Sequence, residues 1–174
     1  MSKILIVDGH PDPDGRHLCH GLAEAYLKGA KAGGHEAELL RIADLEFPVL
    51  RRPGDFEKEP TPEPLHPARD ALLAANHLVL IYPLWLGTLP AYTKAFLEQV
   101  LHYETAFERH EDSRWPTGKM QGKTAHVFVT MGMPALAYTL WYRAHSLKNL
   151  KRNILGFVGF KPVRSTLFGM VSQA

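Results

Sequence analysis

The chain has 174 residues, 45% of them hydrophobic and 22% charged, with a formal net charge of +2. That size suits one domain, residues 1–174, able to bury a core without disulfides or a structural metal, and the balance excludes a disordered tail or a fibre. A nucleic-acid-binding face is not expected, since the densest basic stretch holds only Lys148, Lys151 and Arg152, the pattern of a solvated helix face.

Along the chain, strand patterns alternate with helix patterns. Residues 3–7, Lys-Ile-Leu-Ile-Val, form a short β-branched run closed by Asp8-Gly9 and Pro11, which predicts a strand buried on both faces. Leu18, Leu22, Ala25, Tyr26 and Ala30 recur at helical spacing over residues 17–32, and Gly33-Gly34 supplies the stop. The single cysteine, Cys19, falls here and rules out an internal disulfide framework, which suits a reducing compartment. With no signal-peptide pattern and no apolar run of membrane-spanning length, a cytoplasmic protein without membrane insertion is expected.

A second strand over 36–41 is followed by an irregular surface excursion over 44–64 that carries Pro48, Pro53, Pro60, Pro62 and Pro64. A helix over 66–75 leads to His77-Leu78-Val79-Leu80-Ile81-Tyr82, the clearest buried strand, which Pro83 ends. A helix over 91–101, a polar excursion to Gly122 and a strand over 124–130 follow. Residues 137–155 are helical in pattern, and 162–168 can form a fifth strand. The usual arrangement adds a helix after that strand, and the sequence stops before one. The alternation predicts a doubly wound five-stranded parallel sheet with helices on both faces, joined by right-handed crossovers. Ligands of such sheets sit beyond the carboxyl ends of the strands, which directs attention to the loops at 9–16, 83–90 and 131–136.

The first of these loops, Gly9-His10-Pro11-Asp12-Pro13-Asp14-Gly15-Arg16-His17, lies between a strand and a helix. Free N–H groups at the helix start, with His10, Arg16 and His17, suit a phosphate, while Asp12 and Asp14 equally suit a plain capped turn. Neither a G-x-G-x-x-G nor a G-x-x-x-x-G-K-[ST] fingerprint is present, so neither a Rossmann dinucleotide site nor a P-loop is expected. His17 and His20 are spaced three apart on one helix face, but no third ligand is evident nearby, and no metal site is expected.

The second loop, Tyr82-Pro83-Leu84-Trp85-Leu86-Gly87-Thr88-Leu89-Pro90, is apolar and aromatic where a connection should be exposed. Such a patch fits a flat aromatic ligand, a subunit interface or a cover over the core. In the third loop, Thr130-Met131-Gly132-Met133-Pro134, Gly132 permits close approach of a ligand to the backbone. Beyond it, Tyr138 and His145 are seven residues apart, which on one continuous helix puts a phenol and an imidazole on the same face; each can equally be a packing or surface residue.

Taken together, these motifs resemble the flavodoxin-like NAD(P)H:quinone oxidoreductase family, which includes small bacterial quinone reductases and ancillary reductases of potassium-efflux systems. The most specific stretch runs from Tyr82-Pro-Leu-Trp-Leu-Gly-Thr-Leu-Pro through the helix to Leu101, and Gly9-His10-Pro11, Gly34-His35-Glu36, Phe47-Pro48-Val49-Leu50, Gly122-Lys123 and Thr130-Met131-Gly132 follow the family's order. The resemblance implies a bound FMN, with FAD as the alternative, NAD(P)H as co-substrate, and two-electron ping-pong transfer to a quinone or other small acceptor. It places the flavin phosphate at His10, Arg16, His17 and Leu18, and the ring at Pro83, Leu84, Trp85 and Leu86, with Thr130, Gly132 and Met133 on the far edge. Tyr138 and His145 take the catalytic positions, His145 one residue from where the family histidine aligns. A homodimer is implied, with Trp85, Tyr103, Phe107 and Trp141 as pocket or interface residues. Gly15 stands where the family often has serine, and His17 where it often has asparagine. A catalytically silent ancillary subunit and a one-electron carrier are the competing readings, although carriers are generally acidic and this chain is not.

Overall fold

Residues 4 to 8 are all buried, and alternate side chains enter different layers: Leu5 and Val7 join one apolar cluster, Ile4 and Ile6 the other. A strand with no solvent face must lie inside a parallel sheet covered on both sides. The computed structural model describes residues 1–108 and 116–171. In chain order its elements are β1 (Lys3–Asp8), α1 (Leu18–Ala32), β2 (Glu36–Arg41), α2 (Pro53–Glu57), α3 (His66–Ala74), β3 (His77–Pro83), α4 (Ala91–Val100) and α5 (Tyr103–Ala106). Then follow β4 (Phe107–Glu108), β5 (Thr117–Gly118), β6 (Thr124–Thr130), α6 (Ala135–Leu140), α7 (His145–Asn149), a π-helical turn at Leu150–Leu155, and β7 (Val163–Phe168).

The main sheet has the order β2-β1-β3-β6-β7, parallel throughout, and β4 pairs with β5 in a separate antiparallel ribbon. The register sets Ile6 beside Val79 and Val79 beside His126; β3 and β6 end together at Pro83 and Thr130, and β1 ends two residues sooner, with Asp8 beside Ile81. On one face α1 packs Cys19 and Ala23 against Ile4, Ile6, Val79 and Ile81. The other face carries the larger cluster, to which α3 gives Ala68 and Leu72, α4 Phe96, Leu97 and Val100, and the segment after α6 Leu147, Leu150 and Leu155. This is the doubly wound five-stranded sheet that strand–helix alternation predicts. Among the described residues no helix is long and apolar enough to cross a membrane.

The proline-rich excursion is more ordered than its composition suggests. It contains α2, and it is laced to α4 and the turn after it. Phe47 stacks on Tyr92 at 4.6 Å, Gln99 donates to the Pro48 carbonyl over 2.7 Å, and the Tyr92 hydroxyl donates to the Leu45 carbonyl.

The expected single helix over residues 137–155 is not formed. Arg143 and Ala144 adopt left-handed backbone angles, φ 54° and 47°, which end the first helical run and start a second at His145. The side chain of Tyr138 explains the break. Its hydroxyl accepts the Leu147 N–H at 3.2 Å and lies 2.8 Å from the Ser146 hydroxyl, so the phenol satisfies a first-turn donor of α7 that no capping side chain reaches. Tyr138 is thereby buried, His145 is exposed, and the two do not share a helix face.

Tyr138→Phe should therefore cost about 0.5–2 kcal/mol, the range for removing a helix cap, whereas His145→Ala should leave stability unchanged within about 0.5 kcal/mol, as for ordinary surface substitutions. Urea denaturation of the two variants checks this; equal midpoints would refute the capping role.

Candidate active site at the carboxyl edge of the sheet

Asp8, the last residue of β1, is buried and organises the loop that follows. One carboxylate oxygen accepts the His10 N–H at 3.1 Å, and the other accepts from His20 Nδ1 in a very short contact. The Asp12 N–H donates to His10 Nδ1 over 3.2 Å, and the Asp12 carboxylate accepts from His17 Nε2 over 2.9 Å. The rings of His10 and His17 stack at 3.7 Å, with His20 edge-on to both at 5.3 Å. The sequence assigns His10, Arg16, His17 and Leu18 to this site and notes His20 only as a neighbour of His17 on a helix face. Asp8 reads there as a plain strand end, and only the fold turns it toward His20.

His17 caps α1 by position but makes no side-chain cap bond, and the first turn of α1 has no acidic residue. The positive end of a helix of 15 residues therefore faces outward beside three imidazoles. Arg16 and Leu18, both exposed, flank that end. At Gly9 the backbone comes so close to α4 that an added Cβ would lie 2.8 Å from the Ile81 carbonyl and 2.9 Å from the Thr93 methyl. This position needs glycine for space rather than for conformation.

The second loop is held in the plane of the sheet by its own hydrogen bonds. The Leu84 N–H donates to the Thr130 carbonyl at 2.7 Å, and Trp85 and Thr88 exchange backbone bonds of 2.8 and 3.0 Å. The tight turn between them puts Leu86 at φ 45° and Gly87 at φ 82°, both left-handed. A leucine that is fully exposed and in this conformation gains nothing from the fold itself. Trp85, half exposed, meets His10 edge-on at 5.6 Å, which joins the second loop to the first.

The third loop continues the edge. Thr130 is buried and its hydroxyl lies 3.3 Å from the Cys19 thiol, while the Met131 N–H donates to the Phe168 carbonyl over 2.8 Å. Gly132 is exposed, and a Cβ there would meet only the Val171 carbonyl at 3.7 Å, so packing does not require glycine at this position. Past it, Leu136, Leu140, Trp141 and Tyr142 expose an apolar surface around a shallow hollow. The residues grouped from sequence as pocket or interface separate here. Trp85 lies on the first two loops and Trp141 on this hollow, whereas Tyr103 and Phe107 line a different apolar hollow of about 600 Å³ with Leu50, Phe56, Leu97 and Phe157.

Burial holds the His10 imidazole down to about 4, reinforced by His17 and His20 alongside it. Burial also pushes the Cys19 thiol up to about 12, which makes it inert as a nucleophile, and raises Tyr82, whose buried hydroxyl has no hydrogen-bond partner among the described residues.

An all-parallel sheet of this order, with an uncapped helix start after β1 and an aromatic turn after β3, defines a flavodoxin-like α/β fold. The profile of the family described as "Flavodoxin-like fold" (Flavodoxin_2) matches residues 2–174, and the chain belongs to that family. Among curated proteins it is 28% identical over 109 residues to a Haemophilus influenzae protein named "Uncharacterized NAD(P)H oxidoreductase", covering 62% of this chain and 53% of that protein. It is 32% identical over 91 residues to an "FMN-dependent NADH:quinone oxidoreductase 1" of Hahella chejuensis, covering 52% of this chain and 41% of the relative. The chain thus spans about half the length of the curated relatives it matches. The solved NAD(P)H:quinone oxidoreductase of Methanothermobacter marburgensis superposes with a TM-score of 0.81 at 22% identity, over 99% of this chain and 89% of that one, a likeness of fold.

Two outcomes are expected. Because the left-handed turn strains a leucine, Leu86→Asn should stabilise the protein by roughly 1 kcal/mol, the cost of a non-glycine side chain there; a lower thermal midpoint would show that Leu86 has a packing role. Because the folded protein resists protonating His10, acid draws protons onto the unfolded chain first. Stability should be at its full value above the ordinary histidine range near 6.5 and be lost as pH falls toward about 4. His77 and His126, also lowered by burial, add in the same direction. His10→Gln should make that decline shallower in pH-resolved thermal melts.

Proposed function

We propose that the protein is a flavin-dependent NAD(P)H:quinone oxidoreductase, or acts on a related small acceptor, with FMN as its flavin. The observation that carries this reading is the pairing, through His10 and Trp85, of an uncapped α1 terminus with an exposed aromatic turn. One suits a phosphate and the other a flat ring. The residues present fit such a group: among the described residues His20 Nε2 is buried without a hydrogen-bond partner and no side chain caps the α1 end, and Trp85 leaves an aromatic ring half exposed. The names of the curated relatives support the chemistry.

In this reading the N–H groups at the start of α1, with Arg16, His17 and Leu18, hold the phosphate, and His10 sets the spacing between that end and Trp85. Pro83, Leu84, Trp85 and Leu86 cradle one side of the ring system, with Thr130, Gly132 and Met133 on its far edge. Bound there, FMN supplies the two-electron exchange between a reduced nicotinamide and an acceptor. The apolar surface of Leu136, Leu140 and Trp141 offers one place for both to dock in turn, a ping-pong order, and a second copy of the chain completes it. Tyr138 acts as a positioning residue that fixes the end of α6 beneath this surface. The buried, unreactive Cys19 is consistent with a cytoplasmic setting.

The test is the visible spectrum of the purified protein, followed by identification of the flavin released on denaturation and by NAD(P)H oxidation with a soluble quinone. FMN release with turnover is expected. Trp85→Ala should weaken FMN binding about tenfold, the effect of losing roughly 1.4 kcal/mol of aromatic contact. A colourless protein that takes up no FMN on titration would overturn the reading.

A further inference from the structure

The sequence offers His17 and His20 one helical turn apart and no third ligand near them. The fold supplies it, because the end of β1 returns His10 against the start of α1. One ring nitrogen from each of His10, His17 and His20 lies within 4.8 Å of those of the other two. Two of the rings are already held from behind by carboxylates, His20 by the buried Asp8 and His17 by Asp12 at 2.9 Å. A carboxylate behind an imidazole fixes its tautomer and turns the lone pair of the opposite nitrogen outward, the usual outer-shell support of a metal-bound histidine. On His20 that opposite nitrogen is Nε2, which is buried and has no hydrogen-bond partner among the described residues. A buried polar atom left in this way calls for a ligand.

We infer that His10, His17 and His20 form a binding site for a divalent late first-row transition-metal ion, with Zn²⁺ as the reference ion and the fourth position open to water or an anion. Three neutral imidazoles select this class over Mg²⁺ and Ca²⁺, which take oxygen ligands. Asp8 and Asp12 place compensating negative charge directly behind the ligands. Zinc–nitrogen bonds of about 2.0–2.1 Å require the three nitrogens to draw closer than they stand here. His17 is the ring free to do so: it is about one-third exposed, at 35%, and lies on the loop before α1. It leaves its stack on His10 to join the ion. Either nitrogen of His10 can serve once the 3.2 Å contact from the Asp12 N–H is given up. The inference does not depend on the flavin reading, although His17 belongs to both.

The test uses tag-free protein stripped of metal by chelator and titrated with Co²⁺, whose visible absorption reports tetrahedral nitrogen coordination, with Zn²⁺ then added as competitor. One Co²⁺ per chain, displaced by one Zn²⁺, is the expected result. His17→Gln and His20→Gln should each weaken binding at least about tenfold, and Asp8→Asn, which withdraws the carboxylate behind His20 while leaving an amide oxygen for the His10 N–H, about 10–100-fold. His35→Gln, at an exposed position away from the cluster, should bind as the parent does. Absence of stoichiometric Co²⁺ absorption, or parent-like binding by His17→Gln, would overturn the inference. Because His17 is partly exposed, that variant keeps the test decisive even if substitution of the buried His10 or the largely covered His20 prevents folding. The readout is the metal itself, so its failure leaves the flavin proposal standing and failure of flavin uptake leaves this one standing.

Discussion

The close approach at Gly9 is the constraint on which the rest of the carboxyl edge depends. Its N–H donates to the Ile81 carbonyl and its own carbonyl accepts from the Thr93 hydroxyl, each at 2.6 Å, so the end of β1, the body of β3 and the start of α4 are fastened at one residue. A side chain there would collide with the Ile81 carbonyl of β3 as well as with the Thr93 methyl, and the backbone contact could be relieved only by moving the strands apart. With that contact made, Asp8 faces inward and the loop after it must turn over the sheet edge toward Trp85.

A buried carboxylate in this position is costly unless its oxygens are engaged. Asp8 satisfies one with a backbone donor two residues on and the other with a side chain on α1, so the same group that shapes the turn also fixes the helix against it. The imidazoles are consequently preorganised rather than gathered on ligand arrival. Their arrangement suits two kinds of occupant, an oxyanion at the helix end and a metal ion among the ring nitrogens. What separates these occupants is the nitrogen presented: an N–H recognises the first and a lone pair the second.

On the opposite side of the edge, the break after α6 does comparable work with different chemistry. A phenol takes the place of a serine or aspartate cap, and the left-handed pair at Arg143 and Ala144 redirects the chain so that Leu147, Leu150 and Leu155 can reach the core beside Val127 and Val129. A straight helix would keep Trp141 and Tyr142 on the same rod as these core residues. The break frees them to remain exposed near the third loop.

Strand identity, sheet parallelism and the location of the loops at the carboxyl edge were legible in the sequence, because runs such as Leu78 to Tyr82 cannot be solvated on either face and because Gly and Pro punctuate the chain between them. The resemblance of the second loop also pointed to its aromatic site. Local pattern could not reveal the break between Tyr138 and His145, since helical periodicity continues through it and the cause is a hydroxyl reaching nine residues along the chain. Nor could it place Asp8 and His20 in the site or show His10 as the third imidazole, because those contacts form only when a strand end is brought against the start of the following helix. Hydrophobic period and backbone stereochemistry, both local properties of the chain, set the alternating elements and where their loops must gather. The tertiary structure alone decided which polar groups in those loops meet, because hydrogen bonds between a strand end and a helix face depend on packing distances that no local spacing encodes.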